Sequence, residues 1–117
     1  VKVHHYSVKV KDLEQAIQFY KETFFAKEVL RLNEWDEKIV FLNIDSLLLE
    51  LVEDSSMTSE RDDSHICFQV DDIENIMIEM EVRPLKLTEG PYELSNGWKT
   101  VFYQGINGEI FEFLQLA

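Results

Sequence analysis

The chain has 117 residues, 45% of them hydrophobic and 29% charged, which fits one small globular domain large enough to bury a core. Its formal net charge of −12 argues against nucleic acid and anionic membranes as partners, because both need a basic surface. One cysteine, Cys67, rules out an intramolecular disulfide framework; with no spanning apolar run and no apolar signal core at the N-terminus, a cytoplasmic protein is expected.

Alternation predicts a strand from about Lys2 to Val10, with Tyr6, Val8 and Val10 on one face and His5, Ser7 and Lys9 on the other. That parity puts His4 opposite His5 and marks it as non-ligating. Asp12 is placed to cap a helix, with Gln15 completing a capping box. Leu13, Ala16, Ile17, Tyr20 and Phe24 then recur at helical spacing, to about Phe25. Strands are expected near Glu28–Leu32, Lys38–Leu42 and Ser46–Glu53, with turns at Asn33–Glu37 and Asn43–Asp45. Residues 54–64 are polar and read as a linker, so the first module runs over about 1–54, the linker over about 55–63 and the second module over about 64–117.

The second half repeats the order. A strand over Ser64–Val70 sets Ile66, Phe68 and Val70 against His65, Cys67 and Gln69. Asp71 or Asp72 caps a helix carrying Ile73, Ile76, Met77 and Met80, and Pro84 marks its end. Strands near Leu85–Thr88, Lys99–Tyr103 and Glu109–Leu116 follow, with turns at Asn96-Gly97 and Asn107-Gly108. The expected class is α+β, two tandem βαβββ modules forming a curved sheet.

The two halves also share sequence. His5-Tyr6-Ser7-Val8-Lys9-Val10 returns as His65-Ile66-Cys67-Phe68-Gln69-Val70 at an offset of 60, and Leu49-Glu50-Leu51 returns as Phe111-Glu112-Phe113 at an offset of 62. Duplication places equivalent residues at symmetry-related points, so His5, Glu50, His65 and Glu112 can converge on one centre. Two imidazoles and two carboxylates around a point suggest a divalent metal. A carboxylate set between leucines or phenylalanines in a strand is costly unless a cation compensates it. Cys67, on the same face as His65, is a candidate neighbour of the site, though such a cysteine is more often inert. Trp35, Trp98, Tyr92 and Tyr103 are weaker candidates for lining a substrate cavity, and Arg31, Arg61 and Lys99 for pairing with an anionic substrate. No Ser-His-Asp order, P-loop or glycine-rich dinucleotide fingerprint is present.

The paired modules, the opening His5…Asp12-Leu13…Phe19-Tyr20 and the closing Gly108…Glu112 resemble the vicinal oxygen chelate superfamily, over essentially the whole chain. That superfamily includes glyoxalase I, extradiol dioxygenases, fosfomycin-resistance enzymes, methylmalonyl-CoA epimerase and metal-free bleomycin-resistance proteins. The resemblance implies a single domain over 1–117 with His5, Glu50, His65 and Glu112 as metal ligands. It implies one divalent ion (Ni, Zn, Co, Mn or Fe) and a small-molecule substrate. A homodimer is implied too, with ligands drawn from one chain or two. The implied activity is a glyoxalase-like lyase or isomerase acting on an alpha-hydroxycarbonyl or hemithioacetal-like compound, with Glu112 favoured as general base and Glu50 as its symmetric counterpart. Two other readings stay open: an Fe(II) dioxygenase or thiol transferase using His5, His65 and Glu112, and a non-catalytic small-molecule (antibiotic) binding protein. Two positions depart from the family pattern: Phe24-Phe25 stands where Leu-Gly follows the first helix, and Gly105-Ile106-Asn107-Gly108 replaces the turn before the last Glu.

Overall fold

The computed structural model describes residues 2–57 and 64–117, so most of the expected linker, together with Arg61, lies outside the described residues. The chain divides into two compact units, one on each side of that stretch. The first unit comprises β1 (Tyr6–Val10), α1 (Leu13–Phe24), β2 (Lys27–Glu34), β3 (Glu37–Ile44) and β4 (Leu47–Glu53). The second repeats it with β5 (His65–Gln69), α2 (Ile73–Met80), β6 (Lys86–Glu93), β7 (Lys99–Gln104) and β8 (Ile110–Gln115). Each unit builds a four-stranded mixed sheet, in the orders β1-β4-β3-β2 and β5-β8-β7-β6. The first strand of each runs parallel to the last, and the remaining pairs are antiparallel. The βαβββ order is as the sequence predicts.

Alternation sorts the two faces of each sheet. Leu49, Leu51, Val40 and Leu42 are fully buried on the side toward α1, with Val8, Val10, Ala16, Ile17 and Tyr20. Phe111, Phe113, Val101 and Tyr103 play that part in the second unit, where Phe68 stacks on Phe113 at 5.9 Å and Tyr103 meets Phe113 edge-on. Tyr103 is therefore a core residue and not a cavity lining. Both helices start under caps. Asp12 accepts from the Gln15 amide, and Asp72, the cap between the two aspartates considered, accepts from Glu74 and Asn75. The last strand helps as well: the Leu13 amide donates to Glu53 Oε2 at 3.0 Å, and the Ile73 amide donates to Gln115 Oε1 at 2.8 Å. These bonds satisfy first-turn amides that have no partner inside the helix.

Several boundaries move. β1 starts at Tyr6 rather than Lys2, because this edge strand has only β4 as a neighbour and the ladder stops at Tyr6 opposite Leu49. Tyr6 is half exposed instead of packing with Val8 and Val10. α2 ends at Met80, before Pro84, in a short run of turns. β2 and β6 are longer than expected, each pairing along β3 or β7 past a register shift. Tight turns hold left-handed residues at Trp35, Asp36 and Asp45, and α1 ends on Phe25 at φ 57°.

Candidate metal centre

The face of each sheet away from the helix carries the His and Glu residues. In the first unit Glu50 lies in β4 opposite Ser7 on one side and Phe41 on the other. In the second, Glu112 lies in β8 between Cys67 and Phe102, the same arrangement. His5 Nε2 stands 3.7 Å from Glu50 Oε1, and His65 Nε2 stands 3.0 Å from Glu112 Oε1. Each imidazole also rests edge-on against a phenylalanine on the far side of the Glu-bearing strand: His5 on Phe41 at 5.2 Å, His65 on Phe102 at 5.6 Å.

The four residues singled out from the sequence are thus brought together as two pairs. Among the described residues, no group of three or more His, Cys, Asp or Glu gathers closely enough to hold a metal. The His65–Glu112 spacing fits two ligands of one ion, and the His5–Glu50 spacing is a few tenths of an ångström wider than such ligands need. Donors about 2.1 Å from a cation stand about 3.0 Å apart at an octahedral right angle and about 3.4 Å apart in a tetrahedron. The carboxylates suit that role electrostatically. The side chains of Glu50 and Glu112 are 18% and 15% exposed, each beside a phenylalanine ring, where a bound cation offsets the cost of desolvation.

The pairs differ in their surroundings. Thr100, buried in β7, donates its hydroxyl hydrogen bond to Glu112 Oε2 at 2.5 Å. The equivalent position in the first unit is Ile39: Ile39 opposes Val52 as Thr100 opposes Leu114, each two residues past the Glu. Glu50 has no hydroxyl at that β3 position; the hydroxyl residue beside it is Ser7, its partner across β1. His4 Nδ1 lies 2.8 Å from His5 Nδ1, so one ring donates to the other. The expectation that strand parity separates His4 from His5 fails because both precede β1. Cys67 is exposed beside Glu112, and partial burial followed by that carboxylate's charge pushes its thiol up to about 11.

Other candidates sit elsewhere. Arg31 is clamped between Glu28, at 2.8 Å, and Glu14. Trp35 lies exposed in the β2–β3 turn. Lys99 and Tyr92 line a shallow groove with Pro91, beside the start of α2. A larger groove of about 270 Å³ at the start of α1 is lined by Glu14, Arg31, Lys38 and Glu53, whose charges pair with one another. Neither groove includes a His–Glu pair. Sequence reasoning missed Phe41, Phe102, Thr100 and the role of His4. Phe41 and Phe102, at an offset of 61, could have been found by extending the repeat through the third strands.

Residues 2–108 match the family model of the Glyoxalase/Bleomycin resistance protein/Dioxygenase superfamily. Mouse mitochondrial methylmalonyl-CoA epimerase is 25% identical over 87% of this chain, which spans 64% of that protein's length. The fosfomycin resistance protein FosX from Listeria monocytogenes superposes with a TM-score of 0.83 at 20% identity, over 100% of this chain and 94% of FosX. A variant of that FosX in complex with Mn(II) and 1S,2S-dihydroxypropylphosphonic acid gives 0.82 at 19% identity, over 99% and 90% of the two chains. A glyoxalase family protein from Enterococcus faecalis gives 0.82 at 16% identity, covering 97% of both chains. No helix among the described residues is long and apolar enough to cross a membrane.

Proposed function

The chain belongs to the Glyoxalase/Bleomycin resistance protein/Dioxygenase superfamily, and from that membership we propose that it is a metal-dependent lyase or isomerase of glyoxalase type. In this reading His5, Glu50, His65 and Glu112 are the ligands of one divalent ion, drawn from one chain or two. The repeated His–Glu pair, each on a phenylalanine ring, is the observation that carries it. The donor set suits Mn, Fe, Co, Ni or Zn. The substrate class is a small compound with oxygens on adjacent carbons. Two relatives support this: one is by name an epimerase, and the other binds Mn(II) together with a vicinal dihydroxy compound.

Bound at this set, the ion would supply Lewis acidity toward the two substrate oxygens. The chain's own residues do the rest. His5 and His65 present Nε2 toward the carboxylates, and the edge-on contacts with the Phe41 and Phe102 rings orient the imidazole planes while leaving both rings partly open to solvent. In this reading one Glu carboxylate takes a proton from a substrate carbon and returns it to the neighbouring carbon on the same face, and delivery to the opposite face uses the other Glu as the acid. The non-catalytic and dioxygenase readings use the same scaffold and separate from this one by experiment.

Metal content per chain, measured on protein purified without a metal-affinity tag, tests the proposal. About one ion per chain that disappears in the His65→Ala/Glu112→Ala variant supports it. Failure to retain an ion or to take one up on titration leaves a binding protein. Oxygen consumption with Fe(II) would favour the dioxygenase.

A further inference from the structure

We propose that Thr100 is a positioning residue that fixes Glu112 as a metal ligand, making the two carboxylates unequal; this rests on the metal reading above. Each oxygen of Glu112 has its own partner, and the Cys67 thiol also lies against the carboxylate. Oε1 faces His65 Nε2 at 3.0 Å, while Oε2 accepts from the Thr100 hydroxyl at 2.5 Å. Thr100 is 3% exposed, and its β-branched side chain projects from β7, a strand paired on both sides, so the hydroxyl has little freedom to leave. A hydrogen bond on the outer oxygen of a ligating carboxylate sets its rotamer and leaves the inner oxygen aimed at the ion.

Glu50 lacks this restraint. Its ion-pair contact is with His5, at 3.7 Å; Ile39 offers no hydroxyl where Thr100 stands in the second unit, and Ser7, across from Glu50 in β1, is exposed and not held as Thr100 is. The repeat has therefore diverged at one buried position in a way that ties down one carboxylate and leaves the other able to swing. Glu112 is the fixed ligand, and Glu50 is the carboxylate free to move a proton. This reverses the preference for Glu112 as base that follows from the resemblance alone.

The experiment is Co(II) titration of metal-stripped protein, reading both the dissociation constant and the visible absorption spectrum. Thr100→Val and Thr100→Ala should weaken Co(II) binding about 10-fold and change the spectrum, the size expected for loss of a second-layer hydrogen bond. Thr100→Ser, which keeps the hydroxyl, should restore both. Glu112→Gln should cost more affinity than Glu50→Gln. Val and Ala variants that bind Co(II) like the parent protein, or a Ser variant as weak as Ala, would overturn the role of Thr100 while leaving the metal reading intact. A parent protein that takes up no Co(II) overturns both.

Discussion

Replacing Glu53 with alanine tests how the strand that carries Glu50 is fastened to the helix beneath it. Glu53 shares the parity of Leu49 and Leu51, and its Oε2 reaches the Leu13 amide at 3.0 Å. A hydrogen bond to a charged group contributes about 1.5–3 kcal/mol when shielded. The Glu53 side chain is 27% exposed, which favours the lower end. Lys38, 3.9 Å away and largely exposed, adds at most about 0.5 kcal/mol. Glu53→Ala should therefore cost about 1.5–2 kcal/mol. Glu53→Gln keeps an acceptor and loses only the charge at the helix start, about 0.5 kcal/mol. The second unit is a built-in control: Gln115 makes the same bond to Ile73 without a charge, so Gln115→Ala should cost about 1 kcal/mol. Urea unfolding followed by circular dichroism gives all three values from midpoints at constant slope. Equal losses for Glu53→Gln and Glu53→Ala would show that charge, not the hydrogen bond, matters; a loss below about 0.3 kcal/mol for Glu53→Ala would show that water replaces the carboxylate at no cost.

Phe25 occupies a left-handed helix end at φ 57° and is exposed, so Phe25→Gly should stabilise the protein by about 0.5–1 kcal/mol in the same assay. Phe111 is fully buried, and Phe111→Ala should cost about 3–5 kcal/mol. Hydrogen bonds from Arg31, reinforced by its charge, hold the Glu14 and Glu28 carboxyls below their ordinary value of 4.5. A carboxyl lowered in the folded state stabilises it above the unfolded value and loses that effect as pH falls through the folded one. Stability of the parent protein should thus converge on that of Arg31→Met between about pH 5 and pH 2, and a gap that widens on acidification would refute the assignment.

Period two made the site strands legible. Glu50 between Leu49 and Leu51, and Glu112 between Phe111 and Phe113, could only point away from a buried face, and they do. The same rule misled at His4, because alternation holds only where a strand exists and β1 begins two residues later. Pro84 looked like a helix terminator, but α2 had already stopped at Met80. Cross-strand neighbours were the hidden part. Phe41, Phe102 and Thr100 act through pairing register, which depends on turn lengths that composition does not determine.

Register also explains how the duplication kept its site while drifting in length. The offset between halves is 60 at the histidines, 61 at Phe41 and Phe102, and 62 at the glutamates. One residue inserted within a strand would turn every later side chain to the other face. The extra residues fall instead between α2 and β7 and in the connection from β7 to β8, where residues 105–109 replace the tight Asp45-Ser46 turn. β6 absorbs one more register shift than β2, but the strands that carry the site keep their parity, and Glu112 still opposes Phe102 as Glu50 opposes Phe41. The longer connection brings its own support: the Gly105 amide donates to the Glu109 carbonyl, and Glu109 Oε1 accepts from the Asn107 amide at 2.7 Å. Substitution at Gly105 would drive a Cβ to 2.7 Å from Glu109 Oε1, so this loop, though remote in kind from the His–Glu chemistry, constrains the register on which Glu112 depends.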